Sequence, residues 1–176
     1  GVLNPFLFAL ITLSTLLIAA AGYIINDYFD IKIDGINKPD KVVLEKIIPR
    51  KQAIVSHAML NIASLLLAGF VAVRAHHPEW VLLQAACITL LWFYSTDFKR
   101  HSLTGKLVVS ILHSLTIIAL IVYEPAIRSG AARTQNSVLF SRPGLVLIIF
   151  AYFAFMLTWM REIVKDMEDL KGDEEE

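Results

Sequence analysis

Charge is what this sequence lacks over most of its length. Of 176 residues, 18% are Asp, Glu, Lys or Arg, against 56% hydrophobic. The mean hydropathy of +0.61 lies well above the balance of a soluble domain. Five stretches hold no charged residue at all: Gly1–Ile25, Ala53–Val73, Trp80–Thr96, Leu107–Tyr123 and Pro143–Met160. A membrane-crossing helix needs about 20 largely apolar residues, with a range of roughly 17 to 25. The first two stretches reach that comfortably, and the other three lie near its short end. Amphipathic segments, which a soluble α-protein needs to cover its core, are almost missing too. The pattern predicts an all-α, polytopic membrane helical bundle. Its five transmembrane helices are expected at Leu3–Ile25, Ala53–Val73, Trp80–Tyr94, Lys106–Tyr123 and Gly144–Met160.

Other absences bound the reading further. Cys87 is the single cysteine; inside an apolar stretch it reads as a small hydrophobe and says nothing of redox compartment. No basic stretch and no small-residue cleavage pattern accompany the first apolar run, so no signal peptide is read. The opening without Met and the abrupt Glu174-Glu175-Glu176 end read as a piece of a longer protein. There is no internal repeat or low-complexity tract beyond a weak likeness between the first and last segments, each followed by an acidic cluster. With a formal net charge of +0, no nucleic-acid partner is expected.

What charge there is segregates. If each helix crosses once, one side carries Lys32, Lys38, Lys41, Lys46, Arg50, Lys51, Lys99, Arg100, Lys106, Arg161, Lys165 and Lys171. The other carries Arg74, Arg128, Arg133 and Arg142. The positive-inside rule makes the richer side cytoplasmic. On the poorer side, Arg74-Ala75-His76-His77-Pro78-Glu79 reads as a short solvated turn with Pro78 starting the third helix. The adjacent histidines lack the further ligands a metal needs. Residues 124–142 read as a polar connector.

Two acidic clusters follow long apolar segments on the richer side, where unpaired carboxylates are unfavourable. The first is Asn26-Asp27-Tyr28-Phe29-Asp30-Ile31-Lys32-Ile33-Asp34, and the second runs from Asp166 to Asp173. Asn26, Asp30 and Asp34 recur at four-residue steps, as do Asp169 and Asp173, so a continuing helix turns each set to one face. Such a face repels itself unless a cation neutralises it. Carboxylates with an amide carbonyl suit Mg²⁺, which prefers a few carboxylates plus substrate phosphates to a closed protein cage. For the tail alone, a solvated acidic helix end partly paired with Lys165 and Lys171 is an equal reading. Two clusters on one face favour a shared metal and phosphate site.

At this point the residues resemble a known family. The aspartate spacings are similar to the two aspartate-rich motifs of the UbiA-type intramembrane prenyltransferases. Asp34-Gly35-Ile36-Asn37-Lys38-Pro39-Asp40-Lys41 resembles the loop after that family's first motif, and Arg161–Asp166 the lead-in to its second. Tyr94-Ser95, Phe98-Lys99-Arg100 and Gly105 resemble its central connection. The sequence departs from the pattern at Val42–Lys46, which lacks a Pro and a Ser-Gly, and at Lys106, where Asn is common.

The resemblance implies a single intramembrane prenyltransferase domain over 1–176, incomplete at both ends, within a protein of nine spanning helices. It implies an Mg²⁺-dependent enzyme that moves an isoprenyl group from an allylic diphosphate to a lipid or aromatic acceptor, in a cell's plasma membrane with the motifs cytoplasmic. Within the family the look is closest to geranylgeranylglyceryl phosphate geranylgeranyltransferases. Asn26, Asp30, Asp34, Asp169 and Asp173 are the expected catalytic and metal-binding residues. Asp27, Lys41, Arg50, Tyr94, Ser95, Lys99, Arg100 and Asp166 are the expected substrate-binding residues. Tyr23, Tyr28, Trp92, Phe93 and Tyr94 are candidates to shield an allylic cation, although core packing or an interfacial belt is the plainer role for most. His57 and His113 read as hydrogen-bonded helix histidines rather than acid–base groups. The competing function is a divalent-cation transporter or channel with acidic cytoplasmic clusters.

Overall fold

A computed structural model describes residues 3–37, 44, 46–100, 102–124 and 142–174; side chains at 32–37, 100, 102, 142–143, 166 and 168–174 fall outside that description. The described chain is helical throughout its ordered elements. They are α1 (Pro5–Asn37), α2 (Arg50–Ala75), α3 (Trp80–Thr96), a short 3₁₀ turn (Phe98–Arg100), α4 (Ser102–Tyr123) and α5 (Arg142–Glu174). Within these, Pro5–Ile31, Arg50–Ala75, Leu103–Tyr123 and Gly144–Lys165 are long and apolar enough to cross a membrane. α3, at 17 residues, lies at the short end of the spanning range. The all-α membrane architecture expected from the charge-free stretches is therefore observed, and the protein is an integral membrane protein.

Local chemistry sets the helix ends. Asn4 caps α1, its Oδ1 accepting the Leu7 N–H at 2.8 Å, with Pro5 at the first helical position, where a missing N–H does no harm. Pro49 precedes α2 with φ already at −62°. α2 stops where His76 turns left-handed (φ 59°). There His77 N–H reaches the Ala72 carbonyl at 2.9 Å and His76 N–H the Val73 carbonyl at 3.3 Å, which satisfies two carbonyls the helix leaves over. Pro78 sits in the turn just ahead of α3, which begins at Trp80 rather than at the proline. α1 and α5 both run on well past their apolar parts and carry the acidic clusters on continuing helix.

The chain forms two compact units, Leu3–Thr96 and Asp97–Glu176 with the first two residues. In the first, polar pairs give the packing register. Ser14 Oγ donates to the Ser64 carbonyl at 3.0 Å and lies 2.9 Å from Ser64 Oγ, both residues being fully buried. About two turns further along α1 and two turns back along α2, His57 Nδ1 meets the Ala21 carbonyl at 2.9 Å. These helices are thus antiparallel. Gln84 Nε2 donates to Thr15 Oγ1 at 3.2 Å. About two turns on in both helices, Gly22 faces Leu91, whose methyl carbons lie 3.1 Å from where a β-carbon would stand. So α3 runs parallel to α1, and glycine allows the approach. Small residues and interhelical hydrogen bonds are what pack helices where lipid removes the usual hydrophobic drive, at about 0.6 kcal/mol per bond.

In the second unit α4 packs against α5, and the 3₁₀ turn packs against α4. Large apolar side chains such as Leu66 and Val73 on α2 and Phe150, Phe153 and Leu157 on α5 are exposed. On spanning helices these are the surfaces that meet lipid or further protein.

Candidate functional site

α1 stays helical from its membrane part through Asn26 to Asn37, so the four-residue spacing becomes a physical face. Asn26 Nδ2 donates to Asp30 Oδ2 at 2.9 Å. Asp30 is only 8% exposed, a notable burial for a carboxylate. Asp27 faces outward and is exposed. Asp34 lies one turn beyond Asp30 on the same helix, known by its backbone alone.

Packing then brings other elements to this end. Ile31, Leu44 and Ala53 form one buried cluster, with Ile24 and Tyr28 packed against it. The motif end of α1 is therefore level with the first turn of α2, which opens at Arg50, an exposed residue. On α3, the Trp92 ring meets Phe29 edge-to-face with centroids 6.0 Å apart, and Phe29 meets Tyr28 the same way at 5.3 Å. Because α3 runs parallel to α1, its last turns, with Tyr94 and Ser95, also reach this end. Ser95 is buried and its hydroxyl donates to the Leu91 carbonyl at 3.0 Å. Asn26, Asp30, Arg50, Tyr94 and Ser95 thus share one end of the first unit. Tyr23, Trp92 and Phe93 are exposed there.

The second unit holds Lys99, Arg100, Asp166, Asp169 and Asp173. Lys99, exposed, and Arg100 form the 3₁₀ turn. That turn lies hard against α4 at Gly105: a β-carbon there would stand 2.8 Å from the Phe98 carbonyl oxygen and 3.2 Å from Lys99 Cα. Any side chain at Gly105 would push on backbone, so this glycine fixes where the Lys99-Arg100 pair can sit. Asp166, Asp169 and Asp173 lie on the last turns of α5. Asp169 and Asp173 are one turn apart and so share a helix face. Upstream, Arg161 Nη1 pairs with Glu162 Oε1 at 2.8 Å. Lys41 lies outside the described residues.

Among the described side chains, no three His, Cys, Asp or Glu gather as a metal-ligand group; those of Asp34, Asp166, Asp169 and Asp173 are not among them. The described donors at the first motif are oxygens, the kind Mg²⁺ takes. In its bond to Asp30, Asn26 uses its amide nitrogen, so its oxygen is the atom it would bring to a cation.

The histidines are built into helices. His113 Nδ1 donates to the Val109 carbonyl at 3.0 Å. His57 bridges Ala21 and Asn61, whose Nδ2 lies 3.0 Å from its Nε2, and its ring sits 5.6 Å from that of Trp92. Sequence reading gave neither the contact of Gly22 with Leu91 nor the seating of the turn on Gly105. The only signal was a glycine inside an otherwise helical pattern.

The sequence profile of the UbiA prenyltransferase family matches residues 1–176. Curated relatives named digeranylgeranylglyceryl phosphate synthase include one from Methanosphaera stadtmanae, 32% identical over 94% of this chain and 53% of its own length. One from Sulfurisphaera tokodaii is 32% identical over 89% of this chain and 49% of its own. One from Saccharolobus solfataricus is 34% identical over 89% and 49%. The chain spans about half the length of these relatives. No solved structure matches it. With the profile matched end to end and acidic motifs on continuing ends of apolar helices, the chain belongs to the UbiA prenyltransferase family.

Proposed function

We propose that the protein is an Mg²⁺-dependent prenyltransferase that forms an ether between an allylic C20 diphosphate and the hydroxyl of a geranylgeranylglyceryl phosphate. Residues 1–176 are read as part of one intramembrane catalytic domain. The buried Asp30, bonded to Asn26 at the end of a spanning helix, is the observation that carries this reading. A carboxylate held in so little water gains most from a cation and a phosphorylated ligand brought to it. The relatives' names supply the substrate class, since digeranylgeranylglyceryl phosphate carries two geranylgeranyl groups on glyceryl phosphate. An aromatic acceptor is the family-level alternative, decided by product analysis.

In this reading, Asn26, Asp30 and Asp34 from α1 and Asp169 and Asp173 from α5 hold one metal–diphosphate assembly on the cytoplasmic side of the plasma membrane. Bound Mg²⁺ supplies positive charge to the diphosphate oxygens as the allylic C–O bond weakens. Lys99 and Arg100 add fixed positive charge for the leaving group, and Arg50 and Lys41 are assigned the same role. Asp27 and Asp166 are assigned to substrate binding beside these residues. Tyr28, Phe29 and Trp92 offer ring faces and edges beside Asp30, which exclude water from the allylic carbon and favour its developing positive charge. Tyr94 and Ser95 lie at the same end. The acceptor oxygen bonds to that carbon, the diphosphate departs with the electron pair, and the hydroxyl proton leaves to water or a diphosphate oxygen. The isoprenyl tails lie along the apolar helices, where each buried CH₂ contributes about 0.8 kcal/mol.

The polar residues within the helices argue against a transport path. Ser14 with Ser64, Thr15 with Gln84 and His57 with Ala21 bind helix to helix and do not present a row of ligands. The test is transfer of a labelled geranylgeranyl group by the full-length protein in membranes, with and without Mg²⁺. Labelled ether lipid formed only with Mg²⁺ is the expected result. No labelled product with any lipid or aromatic acceptor would overturn the proposal.

A further inference from the structure

His57 stands on α2, outside both acidic motifs in the sequence, yet its contacts converge on the first of them. A backbone carbonyl only accepts, so the 2.9 Å contact with Ala21 places the proton on Nδ1. Nε2 then accepts from Asn61 Nδ2 at 3.0 Å. Both ring nitrogens have partners within the helices and the residue is 7% exposed, so the ring is held in place between α1 and α2. Its ring centroid lies 5.6 Å from that of Trp92, the two rings tilted, and Trp92 in turn meets Phe29, the residue before Asp30.

The Ala21 carbonyl lies one residue before Gly22, where α1 and α3 make their close approach. Along the helix axis it stands about 7 Å above Asn26. A hydrogen bond there fixes both the height and the rotation of α1 just before the motif. The leverage is large: a helix rotation of about 20° swings a side-chain end at a radius of about 5–6 Å through about 2 Å. That exceeds the roughly 1 Å displacement able to lower an enzymatic rate about a hundredfold.

We infer that His57 is a positioning residue for the first motif, acting through the Ala21 carbonyl to set the rotation at which α1 presents Asn26 and Asp30 to the metal-bound diphosphate. This rests on the prenyltransferase reading above. A residue that served folding alone would change how much active enzyme survives. A positioning residue changes how well each surviving molecule holds its ligands.

The test uses full-length protein in proteoliposomes, with the half-saturating Mg²⁺ concentration and the KM for geranylgeranyl diphosphate as readouts. His57→Asn places an amide nitrogen where Nδ1 stands and keeps the bond to Ala21. His57→Gln places its amide nearer the Nε2 position and loses that bond, and His57→Leu loses it with similar volume. Expected are values within about twofold of wild type for His57→Asn, and rises of about tenfold in both constants for His57→Gln and His57→Leu. Unchanged constants in His57→Gln, with the maximal rate reduced only in proportion to the folded enzyme recovered, would overturn the positioning role. So would His57→Asn being as impaired as His57→Gln, a comparison that still decides if His57→Leu fails to fold. The wild-type arm separates the two layers. Mg²⁺-dependent transfer by wild type with flat constants across the variants rejects this inference alone, while no transfer by wild type rejects the function and this inference with it.

Discussion

Adding one methyl group at Gly105 should displace the turn that carries Lys99. The β-carbon would meet the Phe98 carbonyl oxygen at 2.8 Å and Lys99 Cα at 3.2 Å, both on backbone that no side-chain rotation can move aside. Ordinary van der Waals contact begins near 3.4 Å, so the Phe98–Arg100 turn must retreat by about half an ångström. Overpacking of this kind costs about 1–3 kcal/mol, offset by about 0.5–1 kcal/mol because alanine favours helix over glycine. Gly105→Ala should therefore lower stability by up to about 2.5 kcal/mol and raise the KM for the diphosphate several-fold as Lys99 shifts. Gly69→Ala is the matched control. It lies in α2 with nothing within 4 Å of the added carbon, so it should be neutral or slightly stabilising. Thermal unfolding in detergent and steady-state kinetics of the full-length protein read both effects. A Gly105→Ala protein as stable as Gly69→Ala, with the wild-type KM, would refute the argument that the turn is seated on this glycine.

Asp30→Ala and Asp173→Ala should each reduce turnover by at least about a hundredfold, with membrane insertion unchanged; near-normal activity would remove that residue from the site. Ser14→Ala should destabilise the helix bundle more than Ser64→Ala. Ser14 loses its bonds to both the Ser64 hydroxyl and the Ser64 carbonyl, whereas Ser64→Ala leaves the carbonyl acceptor in place. The difference should be about 0.5–1.5 kcal/mol by unfolding, and equal effects would count against this pairing. Cysteines at Glu79 and Lys99, which bracket α3, should react with an impermeant thiol reagent from opposite sides of the membrane. Reaction from one side would break the single-crossing topology.

The sequence made the spanning helices legible because charge is excluded from lipid, and charge-free stretches mark them directly. It blurred their ends for the same reason. α4 begins at Ser102, before Lys106, and α5 runs to Glu174, past Met160. A helix continues into water at little cost, whereas counting apolar residues stops at the first charge. The step of four from Asn26 to Asp30 was readable, and it is a hydrogen bond. Which faces meet was not readable. The pairs Ser14–Ser64, Thr15–Gln84 and His57–Ala21 depend on register between helices far apart in sequence, and one serine in an apolar run looks like any other. The aromatic contact from Trp92 to Phe29 was hidden likewise, although Trp92 stood out singly.

The central claim is that the two acidic helix ends grip one diphosphate. A structure of the full-length protein with Mg²⁺ and a non-hydrolysable thiolodiphosphate analogue tests it most directly. The account predicts Asp30 and Asp173 on opposite flanks of the same diphosphate, each reaching it through bound metal. Density for the analogue that leaves either carboxylate elsewhere, or places the two on different sides of the membrane, would contradict it.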